Sequence, residues 1–466
     1  MSVPHQDTKS VEGDCEVHEL DRSGNVQRRW LQSASGGLTL VCRDELAQKS
    51  FTFKGLILTR RPQILVDGQS AGIFFGSLRD WRKAFFDAFL PVGYPHSVSH
   101  DYLAYQRYDS LQAFFSTITS LLANRALLEG LGVGDAESSA TYAMLLTIMK
   151  DAMSRVATIV FAHRFGLRIE PDAKRFRFLA DLFNDTAFFL ELYSPYLGQW
   201  GKIAALGTGE ALRALCGVAA GASKAALSVH FAKHDNLAEL NAKEASQETA
   251  VGLVGLLVGT LVVRYVQDHS IVVYLMTALV FAHLWMNYLG VRSVCMTTFN
   301  RQRATILYET YLQTDKVMTP AEVAAKESIL FWNPIVRNVD GLPVATITFP
   351  TSWPEAMRGC NDSRSFTDIN MREPKVKLRV YRGGVGLCDI RVLHSPGATA
   401  QDVVASWFAA MDAARKIRAD KSMTDFAAEV VPWAAIKAAG WKLDMQGLET
   451  GAPLRVKMMP ATKKEQ

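Results

Sequence analysis

One run in this chain limits the fold more than any other. Residues Ile271–Val291 are 21 consecutive positions without a full charge. A second apolar run, Ala250–Val263, precedes it, with 14 residues between Glu248 and Arg264. The short connector VQDHS separates the two, so they read as a transmembrane helical hairpin. At 1.5 Å per residue the first run covers only ~21 Å, short of the ~30 Å hydrocarbon core. It therefore calls for snorkelling by Arg264 or partial burial in protein. Trp285, Asn287 and Tyr288 lie near the end of the second run, where an aromatic belt would sit. Lys233 and Lys243 precede the pair, Arg292, Arg301 and Arg303 follow it, and Arg264 alone lies at the connector. The positive-inside bias places both long ends of a multi-pass membrane protein on the cytosol-like side.

Composition agrees with apolar helices diluted by polar regions. Hydrophobic residues make up 49% and charged residues 21% of 466, and mean hydropathy is +0.05. A net charge of +5 suits contact with a lipid surface and is too small and dispersed for a nucleic-acid partner. The cysteines Cys15, Cys42, Cys216, Cys295, Cys360 and Cys388 form no CxxC pair and have no histidine at zinc spacing. Reduced thiols and no metal are expected. The first thirty residues lack the apolar core of a secretory signal, and Asp7, Glu12, Asp14, Glu16, Glu19 and Asp21 make them too acidic for a transit peptide. Insertion is thus expected to use internal helices.

The order of elements predicts a mainly α fold: a multi-helix, membrane-associated bundle followed by a small C-terminal α+β domain. Residues 1–49 read as a polar, disordered terminus, and GGLTLVCR within it and FKGLILTRRPQILVDG past it as short extended pieces. Residues 50–315 read as the helical core. Helical spacing marks 77–90, 101–129, 139–163, 172–193 and 203–231, and the hairpin helices fall at about 250–266 and 271–291. Residues 316–374 read as a helix and linker; TPAEV offers Thr319 as N-cap, Pro320 at the first position and Glu322 to complete a capping box. Residues 375–466 read as the α+β domain, with a hairpin over 375–393, a helix opened by Thr399, a helix holding Trp433 that ends at Gly440, and strands at WKLDM and LRVKM.

Polar residues on apolar helices are the candidate site. Glu210, Arg213, Gly217, Gly221, Lys224 and Ser228 fall in one narrow arc of the 203–231 helix. Gly217/Gly221 and Gly255/Gly259 form two GxxxG notches for close helix packing. Asp181 and Asp185 lie one turn apart with Asn184 between. They could hold a cation or share a proton, but pairing with Arg213, Lys224 or Arg155 inside the bundle is the reading intramembrane charges favour. Asp151 and Arg155 make an i,i+4 pair on an otherwise apolar helix. His96 and His100 share metal-like spacing but sit in a loop, and His283 reads as a hydrogen-bonded packing residue. GLGVGD at 130–135 and RGGVG at 382–386 lack the Lys-Ser/Thr of a phosphate-binding loop. No catalytic motif is present, so neither a catalytic residue nor a cofactor is assigned and an enzyme is not expected. Two functions are suggested: binding or moving a small metabolite, an anion among the options, through a polar helix interface lined by the Glu210–Lys224 stripe with Asp181 and Asp185, or non-catalytic assembly through the glycine notches with the C-terminal domain recruiting a partner.

The ordered series FLPVGYPHSVSHDYLAYQRYDSLQAFFSTITSLLANRALLEGLGVGD, KDAMSRVATIVFAHRFG, KRFRFLADLFNDTAFFLEL, GASKAALSVHFAKHDNLAELNAKEASQETAVGLVGLLVG and VMTPAEV, spread over about residues 50–335, resembles the ROOT UV-B SENSITIVE (RUS) family. The resemblance implies membrane association, roles in plant seedling development, auxin-related growth and pyridoxal-vitamin homeostasis, and association as a homo-oligomer or with a related RUS protein. It implies no defined reaction. The matched motifs contain Asp151, Arg155, Asp181, Asn184, Asp185, Lys224, Asp235, Asn236, Glu239, Lys243 and Glu248.

Overall fold

A computed structural model describes residues 85–130, 140–337, 341–358, 387–416, 431–445 and 447–457, with the strand segments 15–20, 26–32, 38–41, 367–368 and 376–382. The predicted extended piece at 53–68, the first part of the 77–90 helix and most of both glycine-rich breaks lie outside these residues. The chain divides into two compact units, residues 1–100 with 232–246, and residues 101–231 with 247–466.

In the first unit the described segments within 15–41 form an antiparallel meander. β1 (Cys15–Leu20), β2 (Val26–Gln32) and β3 (Leu38–Val41) pair in sequence order. Backbone pairing organises this polar stretch, with Val17 opposite Trp30 and Trp30 opposite Leu40. Residues 85–89 are helical and the chain turns at Pro91. A bridge joins Val98 to Ala232. Asn236 Nδ2 donates to Ser97 O at 3.0 Å, Val92 N to Glu239 Oε1 at 2.6 Å, and Lys243 Nζ to Asp87 O at 2.5 Å. Three residues of the matched motif thus tie segment 232–246 to the helix end and turn over 87–98.

The second unit is mainly α. Its helices are α1 (Tyr102–Gly130), α2 (Ala140–Ile169), α3 (Ala173–Tyr193), α4 (Gly198–Phe231), α5 (Leu237–Tyr265, whose first residues belong to the first unit) and α6 (His269–Ser293). α3 packs along α4, α4 along α2, and α1 against α6 and α3. The apolar stretch at 250–263 is therefore the second half of a 29-residue helix. The charged segment NLAELNAKEASQET runs into the same helix without apolar periodicity, so the helix outlasts its apolar stretch, which still ends at Glu248 and Arg264. α4, α5 and α6 are each long and apolar enough to cross a membrane. Their outer faces are apolar: Leu253, Leu257, Leu261, Ile271 and Phe281 are exposed, as are Met144, Leu145, Ile159 and Val160 on α2. The bend between α5 and α6 is short, and Asp268 caps α6 by accepting Ile271 N at 3.1 Å.

Past α6 lie α7 (Arg301–Thr314) and α8 (Pro320–Lys326), the latter with the predicted Thr319/Glu322 capping box. A five-stranded sheet follows in the order β4-β5-β8-β7-β6. The predicted hairpin is β7 (Val376–Arg382) with β8 (Cys388–His394). Three further strands join from the stretch read as a linker: β4 (Ile335–Arg337), β5 (Pro343–Thr348), which runs parallel to β8, and the short β6 (Thr367–Asp368). β6 closes the other edge, and α9 (Trp353–Met357) precedes it. The predicted strands at WKLDM and LRVKM are single bridges, Thr298 to Lys442 and His394 to Arg455. α10 (Ala400–Lys416) lies on β5, β8 and α7. Trp407, Phe408, Tyr308 and Phe299 fill the core between them. α11 (Trp433–Ala438) stops at Gly440, whose φ of +98° a side chain would strain.

Candidate functional site

Arg177, Asp181 and Asp185 repeat every four residues along α3, so they share one face, and that face is buried. Arg177 is the hub. Its Nη2 lies 2.9 Å from Asp109 Oδ1 on α1, its Nη1 3.0 Å from Asp181 Oδ1, and its Nε donates to Tyr105 OH at 3.3 Å. Asp181 also accepts from Gln112 Nε2 of α1 and Asn287 Nδ2 of α6. His283 Nδ1 is 2.8 Å from Asp185 Oδ2, and its Nε2 is 3.7 Å from Asp181 Oδ2. Three helices thus meet on one ionic network with almost no access to solvent. Burial of charge is tolerable only with this degree of pairing. Asp185 Oδ1, Asn287 Oδ1 and both amide atoms of Gln106 nevertheless lack a hydrogen-bond partner. The network is thus under-satisfied next to its carboxylates.

Asp181 and Asp185 were legible as candidates, but their partners are not Arg213, Lys224 or Arg155. Arg177 takes Asp181 because it sits one turn away on the same helix. His283 and Asn287, also one turn apart, are the polar pair inside the charge-free run of α6. That spacing, and the i,i+4 relation of Arg177 to Asp181, were the available signals for all three. Gln112 and Asp109 on α1 carry no comparable pattern. No group of three or more His, Cys, Asp or Glu side chains among the described residues is arranged to hold a metal ion. The oxygens of Asp181 are taken up by Arg177, Gln112 and Asn287.

The charged stripe on α4 does not form one line. Glu210 pairs with Lys150 of α2 at 3.3 Å. Arg213 grips Glu191 of α3 through both nitrogens, Nε at 2.9 Å, and lies over the Phe188 ring. Lys224 pairs with Glu248 of α5. Each charge therefore goes to a different helix. Asp151 and Arg155 are exposed on α2, and His96 and His100 are exposed in their loop; none of these four joins the buried network.

The two glycine notches differ. A Cβ at Gly255 would stand 2.9 Å from Thr117 Cβ and 3.3 Å from Phe114 O, and one at Gly259 would stand 2.5 Å from Leu121 Cδ1. This notch seats α5 against α1. Gly217 and Gly221 are exposed, with nothing within 4 Å of a built Cβ.

Two further ionic clusters lie elsewhere, one at the start of α3 and one in the C-terminal region. Lys174 Nζ bonds Glu327 Oε2 at 2.7 Å and Val294 O at 2.9 Å, and Arg303 Nη2 donates to Pro171 O at 2.7 Å. Burial pushes the Glu327 carboxyl up, but Arg303 and Lys174 outweigh it and hold it below its ordinary range. Arg455 clasps Glu449 with bonds of 2.7 and 2.8 Å. There burial again works upward, and Arg455 and His394 bring the Glu449 carboxyl down to about 2.

A family model described as a vitamin B6 photo-protection and homoeostasis domain matches residues 76–315. That span contains α1 to α7, the buried network and both glycine notches. The chain is 40% identical over 249 residues to RUS family member 1 of Dictyostelium discoideum, covering 53% of this chain and 47% of the relative. It is 33% identical over 266 residues to protein root UVB sensitive 3 of Arabidopsis thaliana, covering 57% and 60%. To protein root UVB sensitive 4 of the same plant it is 25% identical over 405 residues, covering 83% and 72%. The first two alignments span about half to three fifths of the relatives' lengths. No solved structure matches. With its bundle matched throughout by the family model, the chain belongs to the RUS, or root UVB sensitive, family.

Proposed function

We propose that this chain is a multi-pass membrane protein that binds a small metabolite at the interface of α1, α3 and α6. We further propose that the metabolite is of the vitamin B6 class named in the family model's description. The observation that carries this reading is the buried Asp109–Arg177–Asp181 and His283–Asp185 network, enclosed by helices with apolar outer faces. Ionisable groups at such a place are costly and mark a site or pathway. The charge count favours one ligand type. Three carboxylates face one guanidinium and one imidazole, so the site suits a proton or a positively charged group better than the anion suggested by the α4 stripe. A pyridinium nitrogen answers that need, since a carboxylate is its usual protein partner. Asp185, with one oxygen unpartnered, is the group we assign to it. Equilibrium dialysis of detergent-purified protein against pyridoxal tests this. Binding by the wild type and by Gly217→Ala, with loss in Asp185→Asn, is expected. Equal binding by wild type and Asp185→Asn refutes the reading.

A second reading, a non-catalytic assembly protein that dimerises with itself or another RUS protein, rests on the open Gly217/Gly221 face of α4. Oxidative crosslinking of Gly221→Cys in membranes supports it if dimers form, and a strictly monomeric product counts against it.

A further inference from the structure

We infer that the recess at the α5–α6 bend is a phosphate-binding site that takes the headgroup of an anionic membrane phospholipid. The recess has a volume of about 210 Å³. That is below the ~300–1,000 Å³ of sites that enclose a whole metabolite, and it suits a headgroup whose tails stay outside. Its polar lining is Arg125, Tyr196, Gln267 and His269. Its walls are apolar, from Leu122, Leu192 and Val272. Arg125 Nη1 donates to Val266 O at 3.3 Å, which fixes the guanidinium at the bend. Tyr196 OH lies 3.2 Å from His269 Nδ1, which joins the 3₁₀ turn Ser194–Tyr196 to the start of α6. A guanidinium with neighbouring hydroxyl, amide and imidazole groups supplies the donors that a phosphate needs.

Depth is the second, independent observation. Exposed aromatic residues concentrate at this end of the helices: Tyr193, Tyr196 and Trp200 at the α3–α4 connection, and Tyr265 just before the bend. Trp200 is 82% exposed. Amphipathic rings in such positions settle at the headgroup level of a bilayer, which is where the recess then opens. Local charge agrees. Arg125 and Arg264 flank the bend, and its acidic residue, Asp268, is engaged in capping α6. This inference rests on the membrane reading above but not on the metabolite.

The full chain in neutral detergent, titrated with short-chain phosphatidic acid and in parallel with inorganic phosphate, tests it by thermal melting. Wild type is expected to gain a saturable rise in Tm with the lipid. Arg125→Gln is expected to weaken the apparent affinity about tenfold, the loss of one charge-assisted pair. Phosphatidylcholine should give no such rise. The same saturable rise with inorganic phosphate alone overturns the lipid as the source and identifies a free phosphate ligand. An equal lipid response in wild type and Arg125→Gln overturns the site. Should Arg125→Gln not fold, His269→Ala on the exposed rim carries the comparison. A chain that stays monodisperse without detergent removes the membrane reading instead, and the phosphate titration still reports on the recess.

Discussion

His283 of α6 reaches Asp185 of α3, Nδ1 to Oδ2 at 2.8 Å, where neither residue is more than 2% exposed. The contact ties the charge-free helix to the helix that carries Arg177. Removing one member of such a pair strands the other. Asp185→Ala is expected to cost about 1–3 kcal/mol, the penalty of an unsatisfied buried polar group. Arg177→Ala, which strands both Asp109 and Asp181, is expected to cost about 3–5 kcal/mol. Thermal melts of detergent-purified variants measure both. An Arg177 variant as stable as wild type contradicts the network described here.

The two glycine notches separate in the same assay. Gly255→Ala must displace Thr117 or the Phe114 backbone, and a loss of about 1–3 kcal/mol follows from overpacking. Gly217→Ala meets open space on an exposed helix face. It is expected to be neutral or to stabilise by up to about 1 kcal/mol through helix propensity.

Acid should loosen the C-terminal sheet region through Glu449. Its carboxyl lies at about 2, below the ordinary 4.5. The folded state therefore holds this group deprotonated where the unfolded chain would bind a proton. The resulting stabilisation is complete above about pH 4.5 and is lost as the pH falls toward 2. Near-ultraviolet circular dichroism, which reads Trp407 and Trp441 in the adjoining core, should follow this loss. Glu449→Gln should shrink its amplitude between those pH values.

Fractionation tests the membrane reading directly. The chain is expected to stay in the pellet through a carbonate wash and to leave it only with detergent. Release by carbonate alone would mean that α4, α5 and α6 bury their apolar faces against protein.

Local pattern carried most of the fold. Helical spacing located α1, α3, α4 and α6 to within a few residues at each end, and the capping box at Thr319 is formed as read. For α5 the sequence marks only the apolar half and leaves the charged segment before it open between helix and tight loop, because Leu237–Thr249 has no apolar stripe. Its helical state follows from continuity with the apolar half and from the tethers of Asn236, Glu239 and Lys243. β5 is hidden from local reading for a different reason. The parallel pairing of β5 with β8 joins residues more than forty apart, which no local alternation records. The candidate site was half legible. Two carboxylates on an apolar helix face announce themselves, whereas their partners on α1 and α6 are set by the packing of three helices. Arg213 illustrates this. Asp181 and Glu191 lie on the same helix, α3, but Arg213 of α4 meets that helix near its C-terminal end and pairs with Glu191 there.

The bend at Val266–Asp268 constrains motion as well as shape. A link this short, pinned by Asp268 at one side and by glycines seated on α1 at the other, leaves α5 and α6 no slack to slide past each other. A displacement of either helix at this end is therefore handed on to the other, and the open surface at Gly217 and Gly221 on α4 stays the place where a further helix could lie without disturbing the pair.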